Sequence, residues 1–291
     1  MVEPTPHALP GGEWDPGAMP PYPATPQPPL PPMPPVAPDE FQDATPVDAN
    51  TAPAPGVLRL QARGVRKVYR TGTVEVEALR GVDLDVAAGE LVAIMGASGS
   101  GKTTLLNCLS GLDDIDGGEV FVDGVDIQRL PDAKRTDHRA RSMGFVFQAF
   151  NLIPVFTAVE NVELPLLLIG TPARQAREMA SDILDRVGLG GRLGNRPNEM
   201  SGGEQQRTTV ARALVTEPSI VWADEPTGNL DTHTAQTVLD LLWELNEHGQ
   251  TLIVVTHDPA IGESAGRVVQ MRDGSIIADR LQDKRRVEAS R

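Results

Sequence analysis

One stretch of this sequence has the residue types and the spacing needed to hold a phosphate group. It follows the pattern G-x-x-x-x-G-K-S/T at every position, with the residues Gly96, Ala97, Ser98, Gly99, Ser100, Gly101, Lys102 and Thr103. Glycine lets the backbone wrap a phosphate closely, so that N–H groups face the anion. Lys102 adds a full positive charge, and the Thr103 hydroxyl is an oxygen ligand suited to Mg²⁺. The pattern predicts a nucleotide-binding site and leaves the kind of nucleotide hydrolase open.

The elements on either side of this stretch must hold it in place. Residues 90–95 are mostly apolar and predict a buried strand, and a helix is expected from Thr104 onward. The first turn of a helix has unpaired N–H groups and a partial positive charge, both of which favour an anion. Strand, loop and helix together therefore predict a phosphate cradle.

Four polar residues stand where apolar strands end. Gln148 ends the stretch 141–148, Asp224 and Glu225 follow 219–223, and His257 follows 251–256. Each could be a simple strand cap or a solvated turn residue. However, α/β sheets place ligand contacts at the carboxyl ends of their strands. Beside a phosphate loop, Asp224 is suited to hold Mg²⁺ and Glu225 to polarise an attacking water.

The segment Met200–Arg207 has two interpretations. Ser201 and Glu204 form the S-x-x-E pattern of a capping box at an ordinary helix start. A capping box gives no reason for the glycines at 202 and 203, since glycine weakens a helix. Exposed N–H groups at the start of this helix would explain them as a second anion site.

The rest of the pattern indicates an α/β protein. Strands are predicted over 57–62, 74–79 and 82–86, which form a small antiparallel sheet before the phosphate loop. Tyr69 falls in the first connection of this sheet, where an aromatic residue is usually a packing residue. Residues 150–200 are predicted to be helical and looped.

Composition divides the chain. Residues 1–56 contain 18 of the 26 prolines, carry acidic residues and have no Lys or Arg. We expect this tail to be disordered, as a spacer or as a docking site for a proline-recognising partner. The folded unit is expected over 57–280, with a charged tail at 281–291. The single cysteine, Cys108, excludes an internal disulfide and is expected to be a core residue.

Charge and hydropathy restrict the partners. The formal net charge of −14 and the scattered basic residues argue against a nucleic-acid binder. The N-terminus lacks the pattern of a signal peptide, and no stretch reaches the ~18 to 20 continuous apolar residues of a membrane helix. Any work at a membrane would therefore need a separate membrane-spanning chain.

Taken in order, these motifs resemble the ATP-binding-cassette ATPases over essentially all of residues 57–280. The strings IMGASGSGKTTLLN, GFVFQAFNLIP, SGGEQQR and DEPTGNLD look most like the branch that powers lipoprotein release, macrolide export and a related cell-division complex. The resemblance implies a P-loop NTPase with a RecA-like core, a small antiparallel β subdomain and an inserted helical subdomain at about 150–205.

The resemblance also implies roles for residues in the ATP site. Tyr69 would stack on adenine, and residues 96–104 would hold the phosphates. The residues implied to meet Mg²⁺ are Thr103, Gln148 and Asp224. The residues implied in hydrolysis are the general base Glu225, His257 at the γ-phosphate, Lys102 and Gln148.

Other implied contacts come from a second copy of the chain. Ser201 and Gly203 would bind the γ-phosphate of ATP held by the opposite copy, and Asp231 would lie at the same interface. The implied assembly is a homodimer that drives separate transmembrane permease subunits. It would lie in the cytoplasm on the inner face of the membrane and contact that membrane only through its partner.

Two other functions compete with ATP-driven export or extraction. In the first, ATP-driven dimerisation moves a membrane partner that controls cell-wall enzymes, without transport; the membrane partner's helices and extracytoplasmic domain would discriminate. In the second, the chain is a soluble DNA-repair or translation ATPase. Lys102 and Ser201 are too close in sequence for the long coiled coil of the repair relatives, and the chain has one cassette where translation relatives usually have two.

Overall fold

The computed structural model describes residues 56–72 and 74–282. The predicted tails at 1–56 and 281–291 fall almost wholly outside these described residues. The strands are β1 (Leu58–Thr71), β2 (Val74–Ala87), β3 (Leu91–Met95), β4 (Gly117–Val122), β5 (Val125–Asp126), β6 (Met143–Phe147), β7 (Ile220–Asp224), β8 (Thr251–Thr256), β9 (Arg267–Arg272) and β10 (Ser275–Leu281). The α-helices are α1 (Lys102–Leu109), α2 (Asp132–Ser142), α3 (Ala158–Leu168), α4 (Ala173–Arg186), α5 (Gly202–Leu214), α6 (Thr232–Glu247) and α7 (Pro259–Ser264).

The strands form two sheets. The first is antiparallel, in the order β2-β1-β4-β5. The second has the order β10-β9-β3-β8-β7-β6 and is parallel from β9 to β6, with β10 antiparallel at its edge. This confirms the predicted α/β class with a P-loop core and a small antiparallel sheet. The helices α3, α4 and α5 all lie between β6 and β7 in the chain, where a helical insertion was expected.

The first two strands are longer than predicted, and Tyr69 lies within β1 rather than in a connection. The predicted strands ended at Ala62 and Leu79, each two residues before a glycine, but Gly64 and Gly81 lie inside β1 and β2, with φ of 58° and 83°. The pairing register shifts between Ala62 and Val65 and again after it. These shifts are bulges centred on the two glycines, and strand pairing resumes beyond each bulge, so both strands continue.

The parallel sheet is buried on both faces. In β7, Val221 and Ala223 face one core with α3 to α6, and Ile220 and Trp222 face another with α1 and the antiparallel sheet. This alternation follows from the two-residue period of a strand. Trp222 is completely buried, as is Cys108 on α1, which confirms the predicted core role of that cysteine.

The sequence pattern did not predict α2. Its eleven residues, DAKRTDHRARS, include no buried residue. Apolar periodicity is the main signal of a surface helix, and α2 has no apolar face to supply it.

Candidate active site

The parallel sheet brings the predicted strand-end residues to a single edge. Strand pairing aligns Met95 with Thr256, Asp224 with Val255, and Phe147 with Asp224. The residues that follow these strand ends therefore emerge side by side, and they include the phosphate loop, Glu225, Gln148 and His257. Because the carboxyl ends of parallel strands share one edge, sequence alone could predict this meeting.

The phosphate loop depends on its glycines at two close approaches. A Cβ on Gly96 would lie 2.4 Å from the Met271 carbonyl oxygen, and one on Gly101 would lie 2.7 Å from the Ala78 carbonyl oxygen. Gly101 also has a φ of 98°, which side chains disfavour. The hydroxyl of Ser100 is buried and has no hydrogen-bond partner in the described part of the chain.

The start of α1 is free to bind an anion. Its N-cap is Gly101, no side chain caps it, and its first turn has no acidic residue. Among the other helices, α3, α5, α6 and α7 each have a side-chain cap, whereas α2 and α4 have a proline at the N-cap and no side-chain cap. Lys102 is buried, with Nζ 2.9 Å from the Gly96 carbonyl oxygen and 3.1 Å from that of Ala97. The unpaired N–H groups and this ammonium group together make a site for a polyanion.

Two of the predicted Mg²⁺ ligands touch. The Thr103 hydroxyl donates to Oδ1 of Asp224 across 3.2 Å, joining α1 to the end of β7. Burial raises the pKa of Asp224, the Thr103 bond lowers it, and the neighbouring Glu225 carboxylate raises it further. Hard oxygen ligands and a carboxylate whose charge is poorly solvated are a suitable donor set for Mg²⁺.

Glu225 is held from three sides. Its amide donates to the Val255 carbonyl across 2.8 Å, and its φ of 46° is unusual for a residue with a side chain. Nδ1 of His257 lies 2.7 Å from Oε1, and the Thr256 hydroxyl donates to Oε2 across 3.2 Å. Thr256 was missed in the sequence analysis, although it is the last residue of the strand that precedes His257. The carboxylate is thereby fixed at the sheet edge from which the phosphate loop also leaves, where a general base could act.

Gln148 lies at the same edge, but its amide contacts a loop residue. Nε2 donates to Asn229 Oδ1 across 3.3 Å, and Asn229 Nδ2 donates to the Gln148 carbonyl across 2.8 Å. The hydrogen bonds of the described residues do not join Gln148 to Thr103 or Asp224. This reciprocal pair couples Gln148 to the loop that leads to Asp231.

Tyr69 lies in a small charged cluster. Its hydroxyl donates to Asp113 Oδ2 across 2.8 Å, and Lys67 Nζ lies 2.6 Å from Asp113 Oδ1 and 5.1 Å from the tyrosine ring centre. Burial and the bond to Asp113 raise the pKa of Tyr69, although a bond to Thr104 at the start of α1 lowers it. The residue is 40% exposed, so part of an anchored aromatic side chain remains open beside α1. Sequence reasoning missed Lys67 and Asp113.

The residues predicted to reach a second copy form a separate group. Ser201 caps α5 in the predicted capping box with Glu204, and Asp231 caps α6. No hydrogen bond within the described ranges joins either residue to the phosphate loop. A Cβ on Gly203 would lie 2.3 Å from Thr234 Cγ2, so this glycine has a packing reason that the sequence analysis did not recognise.

A parallel sheet with a phosphate loop and two adjacent carboxylates at its carboxyl edge defines a P-loop nucleotide hydrolase. A family model described as "ABC transporter" matches residues 79–228, slightly more than half of the chain. The chain belongs to the ABC transporter family and is one of its ATP-binding, ATP-hydrolysing members. The resemblance seen in the motifs is thereby confirmed.

Two relatives illustrate the branch. The lipoprotein-releasing system ATP-binding protein LolD of Syntrophus aciditrophicus is 47% identical over 219 residues, which cover 75% of this chain and 98% of that protein. The macrolide export ATP-binding/permease protein MacB of Rhodopirellula baltica is 48% identical over 235 residues, which cover 80% of this chain. The chain spans only 34% of the length of MacB.

A solved structure supports the same fold. It is a dimeric, post-hydrolysis state of the ATP-binding cassette MJ0796 bound to ADP and Pi, with a TM-score of 0.71 and 41% identity. The match covers 76% of this chain and 98% of that one. Within residues 56–72 and 74–282, no helix has the length and apolar character needed to cross a membrane.

Proposed function

We propose that this chain hydrolyses ATP as a homodimer and thereby drives separate permease subunits in export or extraction. The observation that carries this proposal is the meeting of three features at one sheet edge: the uncapped start of α1, the Thr103–Asp224 pair and the Glu225–His257 pair. An anion site, a metal-suited oxygen pair and a fixed carboxylate are the parts that phosphoryl transfer to water requires.

The chain would bind Mg-ATP through residues of the antiparallel sheet and the phosphate loop. Tyr69 would stack on adenine, and the N–H groups of residues 96–104 would hold the phosphates together with Lys102. The buried, unpartnered hydroxyl of Ser100 would gain a phosphate oxygen as its partner. Thr103, Asp224 and Gln148 fit Mg²⁺ because they supply oxygen ligands at the sheet edge; when bound, this ion neutralises charge on the phosphates.

Hydrolysis would then rest on positioning and charge. Glu225 would accept a proton from a water in line with the γ-phosphate, and His257 would keep Glu225 oriented and contact the phosphate. Lys102 and the start of α1 would stabilise the negative charge on the transferred group. No covalent intermediate with the protein is needed.

The second half of each site would come from the opposite copy. Ser201 and Gly203 at the start of α5 would meet the γ-phosphate, and Asp231 would lie beside them. The dimer of the MJ0796 cassette supports this arrangement.

The membrane partner is proposed from the relatives. LolD and MacB are named for lipoprotein release and for macrolide export, and MacB carries a permease in the same chain. This chain would dock on a separate permease from the cytoplasmic side, using residues 57–280 as the ATPase unit. Copurification from membranes, followed by identification of the bound chain, tests the partner.

The variant Glu225→Gln tests the chemistry. It removes the proposed base, so we expect turnover to fall by about 10²- to 10⁴-fold while ATP binding is retained. Glu217→Gln is a matched control, because Glu217 is an exposed glutamate with a similar φ of 51° near the opposite end of β7. If Glu225→Gln hydrolysed ATP at the wild-type rate, the proposal would be refuted.

A further inference from the structure

We propose that Gln206 is a positioning residue for hydrolysis, which holds the backbone next to Glu225 and next to Gln148. This inference rests on the proposed function of those two residues. Gln206 lies on α5 and is fully buried. Its Nε2 donates a short hydrogen bond to the Pro226 carbonyl and lies 3.5 Å from the Phe147 carbonyl oxygen. Pro226 is the residue that follows Glu225, and Phe147 is the residue that precedes Gln148.

The orientation of the Gln206 amide is set locally. The Thr209 hydroxyl oxygen lies 3.2 Å from Gln206 Oε1 and 2.8 Å from the Gln206 carbonyl oxygen. The Pro226 and Phe147 carbonyls can only accept hydrogen bonds, so they fix the NH₂ group toward themselves and leave Oε1 facing the Thr209 hydroxyl. Two N–H donors thus meet two acceptors in a site closed to water, where an unpaired group is costly.

Gln206 supports the backbone on the C-terminal side of Glu225. The strained backbone of Glu225 is held on its N-terminal side by the bond of its amide to the Val255 carbonyl. On the other side, the Glu225 carbonyl accepts from the Gly228 amide across 3.0 Å, and Pro226 has no N–H, so the Pro226 carbonyl is that residue's only backbone hydrogen-bonding group. Gln206 occupies that group. Releasing it would free the Pro226–Thr227 peptide, one residue beyond Glu225, to move, and a displacement of about 1 Å at the reacting groups can cost ~10²-fold in rate.

The helix that carries Gln206 also begins with Ser201, which is proposed to reach the ATP of the opposite copy. A single buried side chain therefore connects the element that would act on one site to the carboxylate of the other site. If Gln206 served only the stability of α5, it would not need to contact both the Pro226 carbonyl, next to Glu225, and the Phe147 carbonyl, next to Gln148.

Gln250 provides a matched control within the same chain. Its Nε2 also donates to two carbonyls, Pro218 across 3.0 Å and Thr251 across 3.3 Å, near the opposite end of β7. Both glutamines would lose the same bonds on substitution by Met, which has the same length and no donor. Only Gln206 lies beside the proposed site.

The test compares ATP hydrolysis by Gln206→Met and Gln250→Met in the full-length chain, with thermal unfolding measured for both. We expect Gln206→Met to lower kcat by about 10- to 100-fold, with KM for ATP changed less than about 3-fold. We expect Gln250→Met to keep kcat near that of the wild type at a temperature where both variants are folded. Equal losses of kcat in the two variants would overturn the inference.

A double variant separates this inference from the proposed function. If Gln206 acts through Glu225, adding Gln206→Met to Glu225→Gln should cause little further loss, because the group being positioned is already gone. Losses that multiply would refute the inference and leave Glu225 as the base. Wild-type turnover of Glu225→Gln alone would instead refute the proposed function.

Thr209→Val keeps the inference testable if Gln206→Met does not fold. It leaves Oε1 of Gln206 facing a methyl group and retains the branched shape, so we expect a loss of kcat in the same direction of about 3- to 10-fold, with KM unchanged. Thr209→Ser, which keeps the hydroxyl, should restore kcat. Wild-type kcat in Thr209→Val would count against the inference.

Discussion

Nδ1 of His257 lies 2.7 Å from Oε1 of Glu225, so the ends of β8 and β7 are joined by their side chains. The histidine is 72% exposed and the glutamate 18%, which places His257 on the open side of the carboxylate. After loss of His257, the Thr256 hydroxyl still holds the other oxygen of Glu225. His257 therefore orients a carboxylate that is already partly fixed.

We predict that His257→Ala lowers kcat for ATP by about 10²-fold, since the carboxylate can then rotate away from the attacking water. KM for ATP should change only a few-fold. The control is His248→Ala: the ring of His248 also lies 2.7 Å from an oxygen, but that oxygen is a backbone carbonyl at the end of α6. Similar kcat values in the two variants would contradict the proposed role.

Ser201→Arg tests whether the second half of the site comes from another copy. In the Glu225→Gln background, which should trap ATP, we expect ATP to produce a dimer. Adding Ser201→Arg should leave a monomer that still binds ATP, because the added bulk lies outside the site of its own chain. Size-exclusion chromatography with bound-nucleotide analysis measures both properties.

Ser181→Arg is the matched control, since Ser181 is a partly exposed serine on α4 with its hydroxyl bonded to the Arg177 carbonyl. Dimer formation should survive this change. A dimer of unchanged stability in the Ser201→Arg variant would argue against a composite site.

The Tyr69 cluster makes a separate prediction about base stacking. Tyr69→Ala should weaken ATP binding by about 5- to 150-fold, which corresponds to the ~1–3 kcal/mol of a base stacked on an aromatic ring. Tyr69→Phe keeps the ring and loses only the hydroxyl with its bonds to Asp113 and Thr104, so it should bind within about 3-fold of the wild type. Fluorescent nucleotide titration measures these affinities. A loss in Tyr69→Phe as large as that in Tyr69→Ala would assign the effect to the hydroxyl.

The capping box of α5 should make stability depend on pH. The hydrogen bond that the Ser201 backbone amide donates to Glu204 lowers the pKa of this carboxyl below the ordinary 4.5, although burial acts to raise the pKa. A carboxyl with a lowered folded pKa stabilises the fold above its unfolded pKa, and this stability is lost as the pH falls through the folded value. Glu204→Gln should therefore cost about 1 kcal/mol at pH 7 and progressively less below pH ~4.5. Urea unfolding of the wild type and of Glu204→Gln, at pH 7 and again below pH ~4.5, measures this difference in the free energy of unfolding.

Gly203 makes a packing prediction. Gly203→Ala should lower the free energy of unfolding by about 1–3 kcal/mol, because the new Cβ would collide with Thr234 Cγ2. Thr234→Ser removes that methyl and keeps the hydroxyl bonded to Asp231, so the double variant should recover most of the loss. Gly194→Ala, where nothing lies within 4 Å of the added Cβ, should be nearly neutral. Failure of Thr234→Ser to rescue would exclude this collision as the cause.

The sequence determined by itself what depends on short stretches of chain. The phosphate loop is a single contiguous stretch, and the spacing of its glycines indicates directly where the backbone must approach a phosphate closely. The predicted strands could then only bring Asp224, Gln148 and His257 to one edge, because parallel strands end together. The capping box at Ser201 was equally local and is present as predicted.

Only the tertiary structure decided what crosses long distances in the chain. Tyr69 and Asp113 are 44 residues apart and meet because β1 continues through its glycine bulges. Gly203 and Thr234 meet because α5 packs on α6, and no local pattern encodes that approach. The buried amide of Gln206 reaches Pro226 only once α5 lies across the sheet edge. Such side-chain contacts depend on how elements pack together, whereas periodicity and turn chemistry describe each element by itself.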